Sequence, residues 1–218
     1  MSRSSVSYKW LFVLLAVLCF CLFVSGTNRA FAQSSSAESS FNSLLDRFKR
    51  ENIIPSVSGT KTYIGDFTNE WAQIGWYQWH MIGNANRFVF SANVTWDSAS
   101  LTPNNFESGC GVLFHNSSAG HLLASLRMDG LLYFTGIRNG QYLSYGTYKY
   151  DRPSIEGSRN FVMVVNNDQV AVYLNGERFV RKANLPVMGD GIALTTLSGT
   201  NMGFGTRCEW KDVYLYTW

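Results

Sequence analysis

From Lys61 to the C-terminus, apolar and polar residues alternate with a period of two, the signature of strands that bury one face. Residues 87–96 place Phe88, Phe90, Ala92, Val94 and Trp96 on one side. Residues 121–128 set Leu122, Ala124, Leu126 and Met128 against His121, Leu123, Ser125 and Arg127. Turn signals punctuate the pattern. Asp129-Gly130 is predicted as a type I′ hairpin turn into residues 131–137. Asn139-Gly140 leads into residues 141–148, and Asn175-Gly176 into 177–182. Residues 160–166 and 169–174 flank Asn167-Asp168, while 191–197 and 204–216 complete the series. About eleven strands with turns every 8–12 residues predict an all-β antiparallel sandwich or jelly roll. Both faces of Phe161-Val162-Met163-Val164-Val165 are apolar, which favours two stacked sheets over a closed barrel.

The pattern upstream is different. A basic start with Arg3 and Lys9 precedes an unbroken apolar run from Trp10 to Val24, then Ala30-Phe31-Ala32-Gln33. This is the layout of a signal peptide over residues 1–32, with cleavage between Ala32 and Gln33. An uncleaved membrane anchor is the alternative. The apolar run would make only about 22 Å of helix at 1.5 Å per residue, against a hydrocarbon core of ~30 Å. Cys19 and Cys21 do not make a lipobox, because Leu18 and Phe20 are too large for the position before such a cysteine. Residues 33–56 read as a Ser-rich tether and a short amphipathic helix. Ser39 or Ser40 would cap it, Phe41, Leu44, Leu45 and Phe48 would share one face, and Pro55 would end it. Residues 57–218 form the sandwich domain.

Composition narrows the function classes. The 218 residues are 46% hydrophobic, 15% charged and 15% aromatic, enough for a proper core and incompatible with a disordered chain. The formal charge of +3 loses Arg3, Lys9 and Arg29 with the leader, so the mature domain is neutral. A neutral domain lacks the electrostatic footprint of a nucleic-acid or anionic-lipid binder. The mature chain keeps Cys110 and Cys208, and an even pair in an exported protein predicts a disulfide.

Four segments read together carry a resemblance. They are residues 88–96 (FVFSANVTW), 108–114 (SGCGVLF), 172–178 (VYLNGER) and 189–194 (GDGIAL). Their order is similar to the concanavalin A-like lectin/glucanase jelly roll, particularly its laminin-G-like and 3-keto-disaccharide-hydrolase-type branch, over about residues 60–218. The resemblance implies a two-sheet sandwich with a concave face that in relatives often holds sugar. The glucanase branch works through Glu-x-Asp-x-x-Glu on one strand, and this chain has no Glu-x-Asp at all. Glu209 and Asp212, its nearest carboxylate pair on a strand, have a spacing that places them on opposite faces of a regular strand. Glycoside hydrolysis needs paired carboxylates. Glu107 and Asp129 are a through-space alternative, more simply read as a loop residue and a turn residue.

The leading reading is an exported, non-catalytic domain that binds carbohydrate or another cell-surface ligand. A glycan-cleaving hydrolase and an envelope interaction domain are the alternatives, and no catalytic residue is assigned. Candidate ligand contacts are Trp76, Gln78, Trp79 and His80 on one aromatic-rich strand, with His115, Arg127 and Arg207 as further polar groups. Sugars stack on Trp and Tyr while polar side chains bond their hydroxyls. No cofactor is expected: His80, His115 and His121 lack metal-ligand spacing. Calcium, which laminin-G-like domains hold at a rim, would fall to Asp97, Asp168 or Asp190.

Overall fold

The computed structural model describes residues 36–75 and 77–218. The leader, its cleavage site at Ala32/Gln33, Cys19, Cys21, the start of the Ser-rich tether and Trp76 lie outside the described residues.

The chain parts into two compact units between Glu51 and Asn52. The first contributes one described helix, α1, at residues 36–50. Phe41, Leu45 and Phe48, at i, i+4 and i+7, are its buried stripe, with Leu44 half-buried beside them. Ser39 and Ser40 lie inside the helix rather than capping it. The Ser40 hydroxyl donates to the Ser36 carbonyl at 2.9 Å, the back-bond that lets serine sit within a helix. The last turn closes through Glu51 N–H to the Arg47 carbonyl, four residues before Pro55.

The second unit is all β. Its strands are β1 (Thr60–Trp71), β2 (Tyr77–Asn84), β3 (Arg87–Ser98), β4 (Gly109–Ser117), β5 (Gly120–Arg127) and β6 (Leu131–Arg138). Then follow β7 (Gln141–Lys149), β8 (Gly157–Asn166), β9 (Gln169–Leu174), β10 (Glu177–Lys182), β11 (Gly191–Leu197) and β12 (Thr206–Thr217). Two six-stranded antiparallel sheets result, ordered β1-β12-β3-β8-β9-β10 and β2-β11-β4-β5-β6-β7. This is the jelly-roll sandwich.

The period-two alternation decides what each sheet buries. Phe88, Phe90, Val94 and Trp96 of β3 meet Phe161, Met163 and Trp210 in the first sheet. Val112 and Phe114 of β4, Leu122 and Leu126 of β5, and Leu194 of β11 face them from the second. Phe90 sits edge-on to Phe161 at 6.2 Å and to Trp210 at 6.0 Å, so the centre is built on interlocked rings. Truncating a fully buried Phe of this kind costs about 3–5 kcal/mol. A disulfide joins Cys110 on β4 to Cys208 on β12, across the two sheets, with the Cα atoms 5.8 Å apart.

The turns sort by residue type. Asn139-Gly140 and Asn175-Gly176 both have positive φ at each position, as a type I′ turn requires. At Asp129-Gly130 only the glycine does, so the predicted type I′ turn does not form there. Instead the Asp129 carboxylate accepts the Leu131 N–H at 3.0 Å, replacing backbone geometry with a side-chain turn.

Candidate functional site

The face of the second sheet turned away from the core carries the other half of the alternation. Tyr77, Trp79 and Met81 on β2, Leu197 on β11 and Leu113 on β4 lie on it, followed by His121, Leu123, Ser125 and Arg127 on β5. Tyr133, Thr135 and Ile137 of β6 and Tyr142 of β7 continue it. Here the sheet bounds a half-open cleft of about 460 Å³. That is within the usual range for small-molecule sites.

The floor is apolar. Leu113, Leu123, Ala193 and Leu197 form a small cluster of their own, separate from the central core, with Tyr77 packed on it. Gly111 makes room for it: a Cβ there would come within 2.9 Å of Leu123 Cδ1 and of Ser125 Cβ. Over this floor Tyr77 and Trp79 lean from the edge strand across β11 and β4 towards His121. The Tyr77 hydroxyl and His121 Nε2 are 2.6 Å apart. The rings of Tyr77, Trp79 and His121 form a trio with centroids 5.6–6.2 Å apart, Trp79 tilted against both and Tyr77 edge-on to His121. Burial pushes the His121 imidazole below its ordinary pKa and the Tyr77 phenol above its own. Near neutral pH the phenol therefore keeps its proton, and the contact with Nε2 is a hydrogen bond between two neutral groups. Trp79 stays 47% exposed and Tyr142 64%, so both offer ring surface to solvent.

The other end of the cleft is built around Arg127, only 8% exposed. Its Nε donates to Ser125 Oγ at 2.8 Å and its Nη1 to the Phe106 carbonyl at 2.6 Å. The guanidinium lies 5.1 Å from the centroid of the Tyr133 ring and 5.9 Å from that of Phe106, two cation–π contacts. Tyr133 is fixed in turn by donating to Asp129 Oδ2 at 2.7 Å. Desolvation, followed by that bond and the charge behind it, raises the phenol to about 12. Glu107 lines the cleft and accepts from Asn104 Nδ2 at 3.0 Å.

The structure divides the residues singled out in the sequence. Trp79 and Arg127 share one outer face of the sheet, Arg127 in the cleft lining with Tyr77 and His121, and Trp79 beside it against the His121 ring. Gln78 and His80 alternate to the opposite side of β2, where His80 packs against Phe67 at 5.0 Å. Arg207 belongs to the other sheet, where its Nε donates to Glu70 at 2.8 Å and its guanidinium lies 4.0 Å from the Phe204 ring centroid.

His115 would join Leu113 on the cleft face if β4 were regular. A bulge with φ of 52° at His115 turns it away. It is fully buried, with Nε2 2.7 Å from the Asn167 carbonyl and Nδ1 near Asn86 and the Gly189 carbonyl. Trp76 lies outside the described residues. Among the described residues no three His, Cys, Asp or Glu side chains gather as a metal site. Asp97, one of the calcium candidates, faces Arg207 at 3.6 Å. The alternation at 121–128 had already placed His121 with Arg127; which face would hold the cleft was not written in it.

No protein-family profile matches the chain, and no curated protein does either. Solved structures do. Carbohydrate-binding module CBM66 from Bacillus subtilis superposes with a TM-score of 0.52 at 11% identity, over 70% of this chain and 92% of that one. The fructosyltransferase from A. japonicus gives 0.50 at 16% identity, over 74% of this chain. This chain spans about a quarter of that enzyme, 26%. At such identities the likeness establishes fold. The fold is the concanavalin A-like jelly roll.

Proposed function

We propose that this is an exported, non-catalytic carbohydrate-binding domain that seats its ligand in the concave cleft between Trp79 and Arg127. The observation that carries the reading is the cleft itself: an apolar floor lined by Leu123 and Leu197 and edged by the exposed Tyr142 ring, with the exposed Trp79 ring beside it on the same face against His121, and few directed polar groups. Pyranose and furanose rings present C–H faces to aromatic rings and hydroxyls to the rim, which is what this lining serves. A binding module is among the solved structures of this fold, and it is matched over nearly its whole length. The cleft lining includes one carboxylate, Glu107, where glycoside hydrolysis calls for two about 5–10 Å apart. The disulfide and the leader support export.

The test is a glycan array followed by titration calorimetry on the hits. Binding that weakens in Trp79→Ala supports the reading. An array without hits, or hits indifferent to Trp79→Ala and Tyr142→Ala, overturns it. Release of reducing ends from a hit glycan would move the protein to the hydrolase class.

A further inference from the structure

Arg127 is the most costly group in the cleft. A guanidinium always carries its charge and has five N–H donors in a fixed fork. Two of the five are taken, by Ser125 and by the Phe106 carbonyl, and three remain. Among the described residues no carboxylate lies within 4.0 Å of it. The two nearby carboxylates that act on it through space are committed elsewhere. Asp129 holds Tyr133 and the Leu131 N–H, and Glu107 is held by Asn104. Among the described residues Nη2 has no hydrogen-bond partner and is not sealed from solvent, in a side chain that is otherwise buried and lines the cleft. Burying a cation without a counter-charge is unfavourable unless the site gains from it later. A neutral sugar hydroxyl would recover little of that cost. A planar oxyanion would recover much more, through a charge-assisted bond to the free edge of the fork.

We propose that the cleft selects sugars bearing a carboxylate, and that Arg127 receives that carboxylate through Nη2 and the free Nη1 proton. The ligand class is then a uronate-containing glycan, stacked on the Trp79 and Tyr142 rings with its acid group towards the Phe106–Tyr133 end. The inference rests on the carbohydrate reading and deepens it. Glu107, on the lining, opposes a second anion there and so limits the subsite to one carboxylate.

Titration calorimetry with tetramers of galacturonate, mannuronate and guluronate, each beside its carboxyl-reduced counterpart, tests this. At least one uronate tetramer should bind the wild-type protein about tenfold or more tighter than its reduced form. The margin should shrink at high salt. Arg127→Lys keeps the charge but loses the fork, and should remove most of the margin. Because Arg127 is buried, Glu107→Gln serves as an independent variant: with one negative charge gone, the preference for the uronate should rise. If every reduced tetramer binds as well as its uronate, or if neutral glycans alone bind, the inference fails and the carbohydrate reading stands. If no glycan of any charge binds, the carbohydrate reading falls and takes the inference with it.

Discussion

Tyr77 on the edge strand β2 and His121 on β5 meet at 2.6 Å, although β11 and β4 run between them in the sheet. The two side chains close that span by leaning towards each other over the apolar floor on which Tyr77 packs. The contact explains why His121, on the solvent side of its sheet, is only 9% exposed. It also fixes the Tyr77 ring as one wall of the cleft.

Tyr77→Phe should therefore do more than remove a hydroxyl. It leaves His121 Nε2 without its partner under the rings of Tyr77 and Trp79, at a cost of about 1–3 kcal/mol. Urea denaturation of the two proteins measures this. A midpoint unchanged in Tyr77→Phe would mean that water replaces the phenol freely and that the trio is not a rigid wall.

Stability should depend on pH through two histidines. Burial lowers the pKa of His121, and lowers that of His115 against the opposing pull of the Asn167 and Gly189 carbonyls. In the unfolded chain both protonate below about 6.5, so under that pH the unfolded state binds more protons than the folded one. Stability then rises with pH up to that point and falls as the solution is acidified, with no further gain from these groups above it. Melting temperatures at pH 7.5 and 5 should differ in this sense. Ring resonances of His115 and His121 should titrate at lower pH in the folded protein than in urea. Coincident titrations would refute it.

The disulfide closes 98 residues of sequence and ties β4 to β12 across the sandwich. Constraining a loop of that size contributes about 4–5 kcal/mol in the chain-entropy model. Cys110→Ala/Cys208→Ala, compared with the oxidised protein in guanidinium, should show a loss of that order. A loss under about 1 kcal/mol would put the bridge's contribution down to packing alone.

The sandwich was legible because alternation is a local property: one residue in two must be apolar wherever a sheet buries one face. Residues 87–96 and 121–128 could be assigned inward and outward sides from sequence alone, and the structure keeps those sides. Bulges were not legible. At His115 (φ 52°) and Asp212 (φ 55°) the register slips by a residue, and the side chain that strict alternation assigns to one face turns elsewhere. His115 thereby becomes a buried tie between chain segments. Asp212 turns to accept from Asn93 Nδ2 at 3.1 Å, which brings it to the outer face it shares with Glu209 and undoes their expected separation. The cleft was legible in halves. Trp79 and Arg127 were named from aromatic and polar patterning, but their placement on one face depends on the strand order β2-β11-β4-β5, a long-range pairing that no local spacing encodes.

The two faces of β2 provide the sharpest separation of ligand contact from strand structure. Trp79 points over the cleft floor, while Gln78 and His80 point to the opposite side. All three are exposed, so each can be truncated with little effect on the fold. Trp79→Ala should weaken binding of any glycan hit by about tenfold, ~1.4 kcal/mol, as expected for an aromatic anchor. Gln78→Ala and His80→Ala should leave the dissociation constant within about twofold. Calorimetry on the three variants with one glycan decides the matter. A loss confined to Gln78→Ala or His80→Ala would place the ligand on the other side of the strand and remove the cleft from consideration.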